Sequence, residues 1–372
     1  MAKARFLALV ALVIGVSSIA ACDDGGGEVD GDADGDNELD GDLDGDADAG
    51  DADAGGDADG DADGDADGDA DVPDEWQVSK MGATLPRPLG GITAVAIDGK
   101  AYVLGGVNGP PPDAVVDSIV RYDPDADEAE ALPAKLPEKT FLAAATAVGT
   151  SIYLFGGFAG TALTDAIVRF DPGTGDVEVM TARLPEPLAR TAAASDGEDV
   201  FVFGGNTGSF MPSGFVADIT RFDPGADTAA LTAAKLPSSR ASRIGAIACN
   251  SRLFMLGGWG PTGKVDEIVE YLPDTDAVEV LPSRLPRALD GGALACDGRR
   301  VFLMGGETAT VVTDEIVVLD TDDDSVAVAP VTLPLPLKGH AAVWIGDSIY
   351  VLGGQGESGL SADITRITPP GL

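Results

Sequence analysis

Six times in this chain a short apolar run ends in the doublet Gly-Gly, and the spacing is nearly constant. The doublets are Gly105-Gly106, Gly156-Gly157, Gly204-Gly205, Gly257-Gly258, Gly305-Gly306 and Gly353-Gly354, separated by 51, 48, 53, 48 and 48 residues. A period of this size belongs to an array of one repeated supersecondary unit. Each unit holds four strand-like segments; in the fourth these are GAIAC, LFMLGG, EIVEYLP and AVEVL. Their alternation and the intervening DG, GT, DPG and LP pieces specify strands and turns, and no stretch after residue 22 carries a helical period. The expected fold class is all-β.

A second element recurs in the third strand: Arg121-Tyr122-Asp123-Pro124, Arg169-Phe170-Asp171-Pro172 and Arg221-Phe222-Asp223-Pro224, with weaker copies at Tyr271 and Leu319. Together, the doublet and this aromatic-Asp-Pro element resemble the kelch repeat over residues 76–372. The resemblance implies a six-bladed kelch-type β-propeller. The Trp that kelch blades usually carry in the fourth strand is replaced by Ala129, Val177, Ala229, Val278 and Val326. The last repeat stops after its third strand, while Glu75-Trp76-Gln77-Val78-Ser79-Lys80, ahead of the first repeat, reads like a fourth strand with its Trp in place. Closure of the ring by this N-terminal strand would leave no long exposed edge.

Residues 1–22 read as a targeting segment. Lys3 and Arg5 precede the apolar run Phe6 to Val16, and Ile19-Ala20-Ala21-Cys22 resembles the bacterial lipobox, with Cys22 as the lipid attachment site. Residues 23–75 form an Asp/Gly/Ala-rich acidic tether; its first 51 residues hold 23 acids, no base and no aromatic. Such a segment buries no core and is expected to be disordered. Its end-to-end distance would be roughly 40 Å or more. The chain is thus expected to be a monomeric lipoprotein of the bacterial cell envelope. Its anchor is expected in the outer membrane, although Asp23 resembles an inner-membrane retention signal. The windows 40–51 and 63–74 place Asp at calcium-loop spacings, but Asp at every second residue generates such matches, and diffuse counterion binding is the expected behaviour.

The formal net charge of −40 makes nucleic acid a poor partner. Loops joining third to fourth strands hold 14 acids and no base, whereas linkers from a fourth strand to the next first strand hold 11 bases against three acids. These two loop sets lie at opposite ends of the sheets, so one acidic and one basic face are expected. The candidate ligand-binding face comprises Arg87, Lys139, Arg190, Arg243, Arg287 and Lys338, with Phe158, Phe210, Met211, Phe215 and Trp259 from the loops after the doublets. Its expected partner is a protein or an acidic polysaccharide. The bland alternative is that these bases cap strand ends and that these loops pack on one another.

Other motifs carry little. Gly258-Trp259-Gly260-Pro261-Thr262-Gly263-Lys264 has phosphate-loop spacing, but Val265 follows and the next residues read as strand. The one histidine, His340, builds no multi-His site, and the copper ligands of galactose oxidase have no counterpart. No catalytic residue, metal site or cofactor is expected. Cys249 and Cys296, at the ends of adjacent first strands, are a possible disulfide if their Cα atoms come within about 7 Å. The leading expectation is a tethered binding module. The alternatives are a carbohydrate-active or isomerase propeller, which needs converging acids, and a purely structural envelope component.

Overall fold

The computed structural model describes residues 75–208, 214–237 and 245–371. Cys22, nearly all of the acidic tether, Phe210, Met211, Arg240 and Arg243 lie outside the described residues. Among the described residues the fold is all-β: six four-stranded antiparallel sheets, a few two-residue ladders and a single 3-10 turn at Pro273–Thr275. The first five sheets run in sequence order. The first, for example, is Thr93–Ile97, Lys100–Leu104, Ser118–Asp123 and Glu128–Lys135. No helix among the described residues is long and apolar enough to cross a membrane.

The doublets explain why the sheets stack in order. The first glycine of each adopts a positive φ, 62° at Gly105 and 58° at Gly353. A Cβ on Gly353 would stand 2.8 Å from the Leu89 carbonyl oxygen, and one on Gly305 2.5 Å from that of Leu337. The second glycine donates its N–H to the same carbonyl: Gly157 to Leu188 at 2.7 Å, Gly258 to Leu289 at 2.9 Å, Gly306 to Leu337 at 2.8 Å. Among the described residues five of the six doublets therefore dock the linker entering the next sheet, and only glycine permits so close an approach. The last doublet docks the first linker, Gly354 to Leu89 at 2.7 Å.

The sixth sheet takes its outer strand from the N-terminus. Gln77–Thr84 pairs antiparallel with Asp363–Thr368, Ser79 opposite Arg366 and Val78 opposite Ile367. This strand runs four residues beyond the expected Lys80. The register corrects one expectation. In the other sheets the residue across from the third-strand aromatic is Ala129, Val177, Ala229 or Val278, and here that place belongs to Val78. Trp76 lies two residues earlier and packs edge-on against Phe302 of the fifth sheet, ring centroids 6.0 Å apart. No sheet carries Trp at the kelch position.

Apolar clusters fill the spaces between consecutive sheets, and one joins Val103 and Tyr122 of the first sheet to Tyr350 and Leu352 of the sixth. Tyr122 and Tyr350 meet with centroids 5.5 Å apart. The interface between the fourth and fifth sheets is covalent. Cys249 and Cys296 are disulfide-bonded, with Cα atoms 5.8 Å apart, because Cys249 ends its first strand one residue later than Cys296 ends the neighbouring one. A loop of 47 residues closed this way contributes about 4 kcal/mol through the unfolded chain. Arg252 reinforces the same interface by bonding Asp324 and the Thr321 carbonyl, each through Nη1.

Candidate functional site

The first strands of all six sheets line one axial space. At its waist stand Ala94, Ala145, Ala193, Ala246, Leu294 and Ala342, shared by a cavity of about 180 Å³ on one side and one of about 390 Å³ on the other. The smaller cavity opens toward the linkers and the loops after the doublets. Its rim is a belt of left-handed residues, Gly91, Leu142, Arg190, Gly291 and Gly339, with φ between 55° and 73°. Four of these N–H groups donate to another member: Leu142 to Gly91 at 3.0 Å, Arg190 to Leu142 at 2.8 Å, Gly339 to Gly291 at 2.9 Å, and Gly91 to Gly339 at 2.9 Å. Leu142 and Arg190 adopt a conformation costly to a residue with a Cβ, and the belt of hydrogen bonds holds them in it.

Around this mouth the sheets differ in chemistry. On the side of the first three, Val107, Val115, Phe141, Phe158 and Ala189 form a small core, with Phe141 and Phe158 stacked at 5.1 Å. On the side of the last three lies an ionic network. The Lys264 ammonium sits 2.8 Å from Asp290 and 3.1 Å from Glu307, and Lys338 donates to Glu307 at 2.7 Å. Burial pushes the Glu307 carboxyl up, but the bond from Lys338 and the two ammonium charges outweigh it and hold the group below the usual range. Lys264 is thus committed to carboxylates in a short hairpin, Trp259–Gly260 with Gly263–Lys264, and the phosphate-loop spacing has no phosphate-binding geometry.

The candidate face separates into parts. Phe158 is 4% exposed, in the small core with the Arg190 guanidinium over its ring, and Lys338 is 6% exposed in the ionic network. Neither presents itself to a partner. Arg287 is exposed and paired with Glu315 at 2.8 Å. Arg87 and Lys139 are exposed. Phe215 and Trp259 stand half-buried with centroids 6.3 Å apart, an aromatic pair between the third and fourth sheets.

The expected basic face is corrected here. The first halves of the third strands and the loops before them reach the same end of the sheets and bring carboxylates to bases there: Asp218 to Lys235, Glu315 to Arg287, Glu307 to Lys338 and Asp363 to Lys80. Arg183 and Arg284 instead donate to carbonyls of their own strands, at Ala182 and Ser283. Among the described residues these bases at the mouth are therefore ion-paired or bonded to carbonyls, while Arg87 and Lys139 remain exposed.

The opposite end is acid-rich, and part of that acid is structural. Asp171 accepts from Gly173 and Thr174 N–H at 2.9 and 3.2 Å, closing its turn, and Asp320 accepts from Asp322 at 3.0 Å. Asp127, Asp227 and Asp276 bond the outer strand of the neighbouring sheet, a role that sequence reasoning missed. Its signal was present: an acid four residues after the third-strand Asp or Leu, in four of five turns.

His340 begins the sixth sheet's first strand. It is 4% exposed, its ring against Gly305 of the fifth sheet. Burial lowers its pKa to about 4, opposed by the Met304 carbonyl. It is a neutral core residue. Among the described residues no cluster of three or more His, Cys, Asp or Glu side chains could hold a metal ion.

The family profile described as the KLHDC2/KLHL20/DRC7 Kelch-repeats domain matches residues 91–277 and, shifted by one repeat, 142–354. No curated protein matches the chain. The shifted double match is what a periodic array produces, and the matched segments together include all six glycine doublets. The chain belongs to the kelch-repeat family.

Proposed function

We propose that this chain is a bacterial envelope lipoprotein whose kelch domain, a closed six-bladed propeller, is a tethered protein-binding module that meets its partner at the channel mouth. Closure is supported by four contacts between the last and first repeats: the Gly354–Leu89 and Gly91–Gly339 hydrogen bonds, the shared Tyr122–Tyr350 core and the N-terminal strand in the sixth sheet. Export is supported by the Cys249–Cys296 bond, which belongs in an oxidising compartment. Binding at the mouth is carried by one observation, the half-buried Phe215–Trp259 pair beside exposed loops. The acids near the mouth, Asp290 and Glu307, are held by lysines, which argues against the carbohydrate-active or isomerase reading.

The N-terminal strand starts opposite Thr368, at the acid-rich end of the sheets.

Co-purification from envelope fractions tests the proposal with three proteins. The parent should sediment with membranes and carry a partner. Cys22→Ser should become soluble and keep that partner. Phe215→Ala with Trp259→Ala should stay on membranes and lose the partner at least about tenfold, as expected when an aromatic anchor worth about 1.5 kcal/mol or more is removed. Equal recovery with and without the aromatic pair would place binding elsewhere, and no selective partner at all would favour a structural envelope component.

A further inference from the structure

Each of the six outer strands carries the same wide bulge, in which three residues stand opposite one of the third strand. In the second sheet Ala166 pairs with Arg183 and Val168 with Val179, so residues 180–182 face Ile167. The middle residue of the bulge is Gly82, Pro133, Thr181, Ala233, Pro282 or Pro330. Where this residue is not Pro its N–H lies on an edge strand, and left unpaired it would be a template for another chain. Val179 and Leu231, 42% and 51% exposed, add apolar side chains just before two of these bulges.

The residue facing each bulge comes from the next sheet's third-to-fourth turn, and the two vary together. Where the bulge residue has an N–H, the turn supplies a left-handed Asp that accepts it: Gly82 donates to Asp127 at 2.8 Å, Thr181 to Asp227 at 2.9 Å and Ala233 to Asp276 at 2.7 Å. The following N–H joins the same carboxylate, Ala182 to Asp227 at 3.0 Å. Where the bulge residue is Pro, that latch is absent. Pro133 is followed by a turn with Gly175 in the place of the Asp, and Pro330 precedes the sixth sheet, whose third and outer strands come from opposite chain ends and have no connecting turn. Pro282 is followed by Asp324, which takes its hydrogen bond from Arg252 instead, at 2.7 Å.

We propose that the Asp latch and the bulge Pro are interchangeable devices that close the rim of this protein to strand addition by a second copy of the chain. One removes the N–H and the other satisfies it from the neighbouring sheet, so a seam needs either and gains little from both. The device at the first sheet has an added role. Asp127 catches Gly82 and Ala83 of the N-terminal strand, which no turn connects to its own sheet, and so helps to fasten that strand. The Asp227 carboxyl is held below the usual range by the bond from Ala182 and then that from Thr181, as a latch in use requires.

The interchange makes a rescue experiment decisive. In the full chain, Asp227→Ala should lower Tm by about 3 °C and produce concentration-dependent self-association in sedimentation runs. Thr181→Pro alone should shift Tm by less than about half of that, since Pro fits the same bulge in three other sheets. The double variant should be more stable than Asp227→Ala alone and sediment as the parent does. At the first seam the reverse conversion applies: Pro133→Ala should lower Tm, and Gly175→Asp should restore it in that background while doing nothing in the parent. A Thr181→Pro/Asp227→Ala protein no better than Asp227→Ala, together with a Gly175→Asp effect independent of residue 133, would overturn the proposal.

Discussion

Deleting Glu75–Lys80 should cost on the order of 5 kcal/mol or more and turn the domain into an aggregating species. The segment supplies half of the outer strand of the sixth sheet, including the Gln77, Val78, Ser79 and Lys80 pairs with Thr368, Ile367, Arg366 and Thr365. It also removes Trp76 from Phe302 and Val78 from the core between the fifth and sixth sheets. Both side chains are half-buried, so each contributes about half of the roughly 1.5–3 kcal/mol of full burial, and the lost backbone bonds add to it. The residues that would slide into their place, Asp69-Ala70-Asp71-Val72-Pro73-Asp74, hold three Asp and a Pro of low strand propensity and add charge to an apolar seam. The open edge of Asp363–Thr368 would then be available to other chains. Chemical unfolding and light scattering of the deletion protein read both effects; a parent-like midpoint with no scattering would contradict the account.

Acidification should weaken the fold through His340 more than through any other single group. Its folded pKa of about 4 lies below the ordinary 6.5 because the imidazole is buried between the fifth and sixth sheets. The sign follows from proton uptake. Between pH 6.5 and 4 the unfolded chain binds a proton that the folded chain refuses, so stability present above pH 6.5 is lost as pH falls toward 4. The shift corresponds to about 3 kcal/mol. The carboxylates of Asp227, Asp276 and Asp320, held below their usual range, weaken the fold at lower pH with the same sign. A His340→Leu variant isolates the histidine. Unfolding free energy measured from pH 7.5 to 4.5 should fall by about 2.5 kcal/mol more in the parent than in the variant, and parallel pH profiles would refute the assignment.

The strands and their sheet membership were legible because both signals are local: period-two alternation and a glycine doublet repeated at about one spacing. The N-terminal strand was legible by subtraction, since five repeats had four strands and the last had three. Its register was not, because pairing is set by the bulge between Lys80 and Thr84, and that displaced Trp76 by two residues from the kelch position. The charge of the mouth was misread for a different reason. The bases lie on outer strands or in the linkers, and their carboxylate partners, Asp218, Glu315 and Asp363 on third strands and Glu307 in the loop before one, are 17 to 31 residues away for two of the pairs. Phe158 looked like a surface aromatic because nothing in its own loop shows that Phe141 and Arg190 fold over it. The disulfide turned on one distance between first strands, which spacing in sequence does not encode.

The central claim, that the N-terminal strand completes the last sheet, is tested most directly by trapping the pair. Ser79 and Arg366 stand opposite each other in the register, where Cα atoms of antiparallel neighbours lie about 4.5–5.5 Å apart, within reach of a disulfide. A Ser79→Cys/Arg366→Cys protein under mild oxidation should form this bond within one chain in high yield, identified by peptide mass after proteolysis, while Ser79→Cys with Glu130→Cys should not. Absence of the intrachain bond, or a bond formed only between chains, would contradict it.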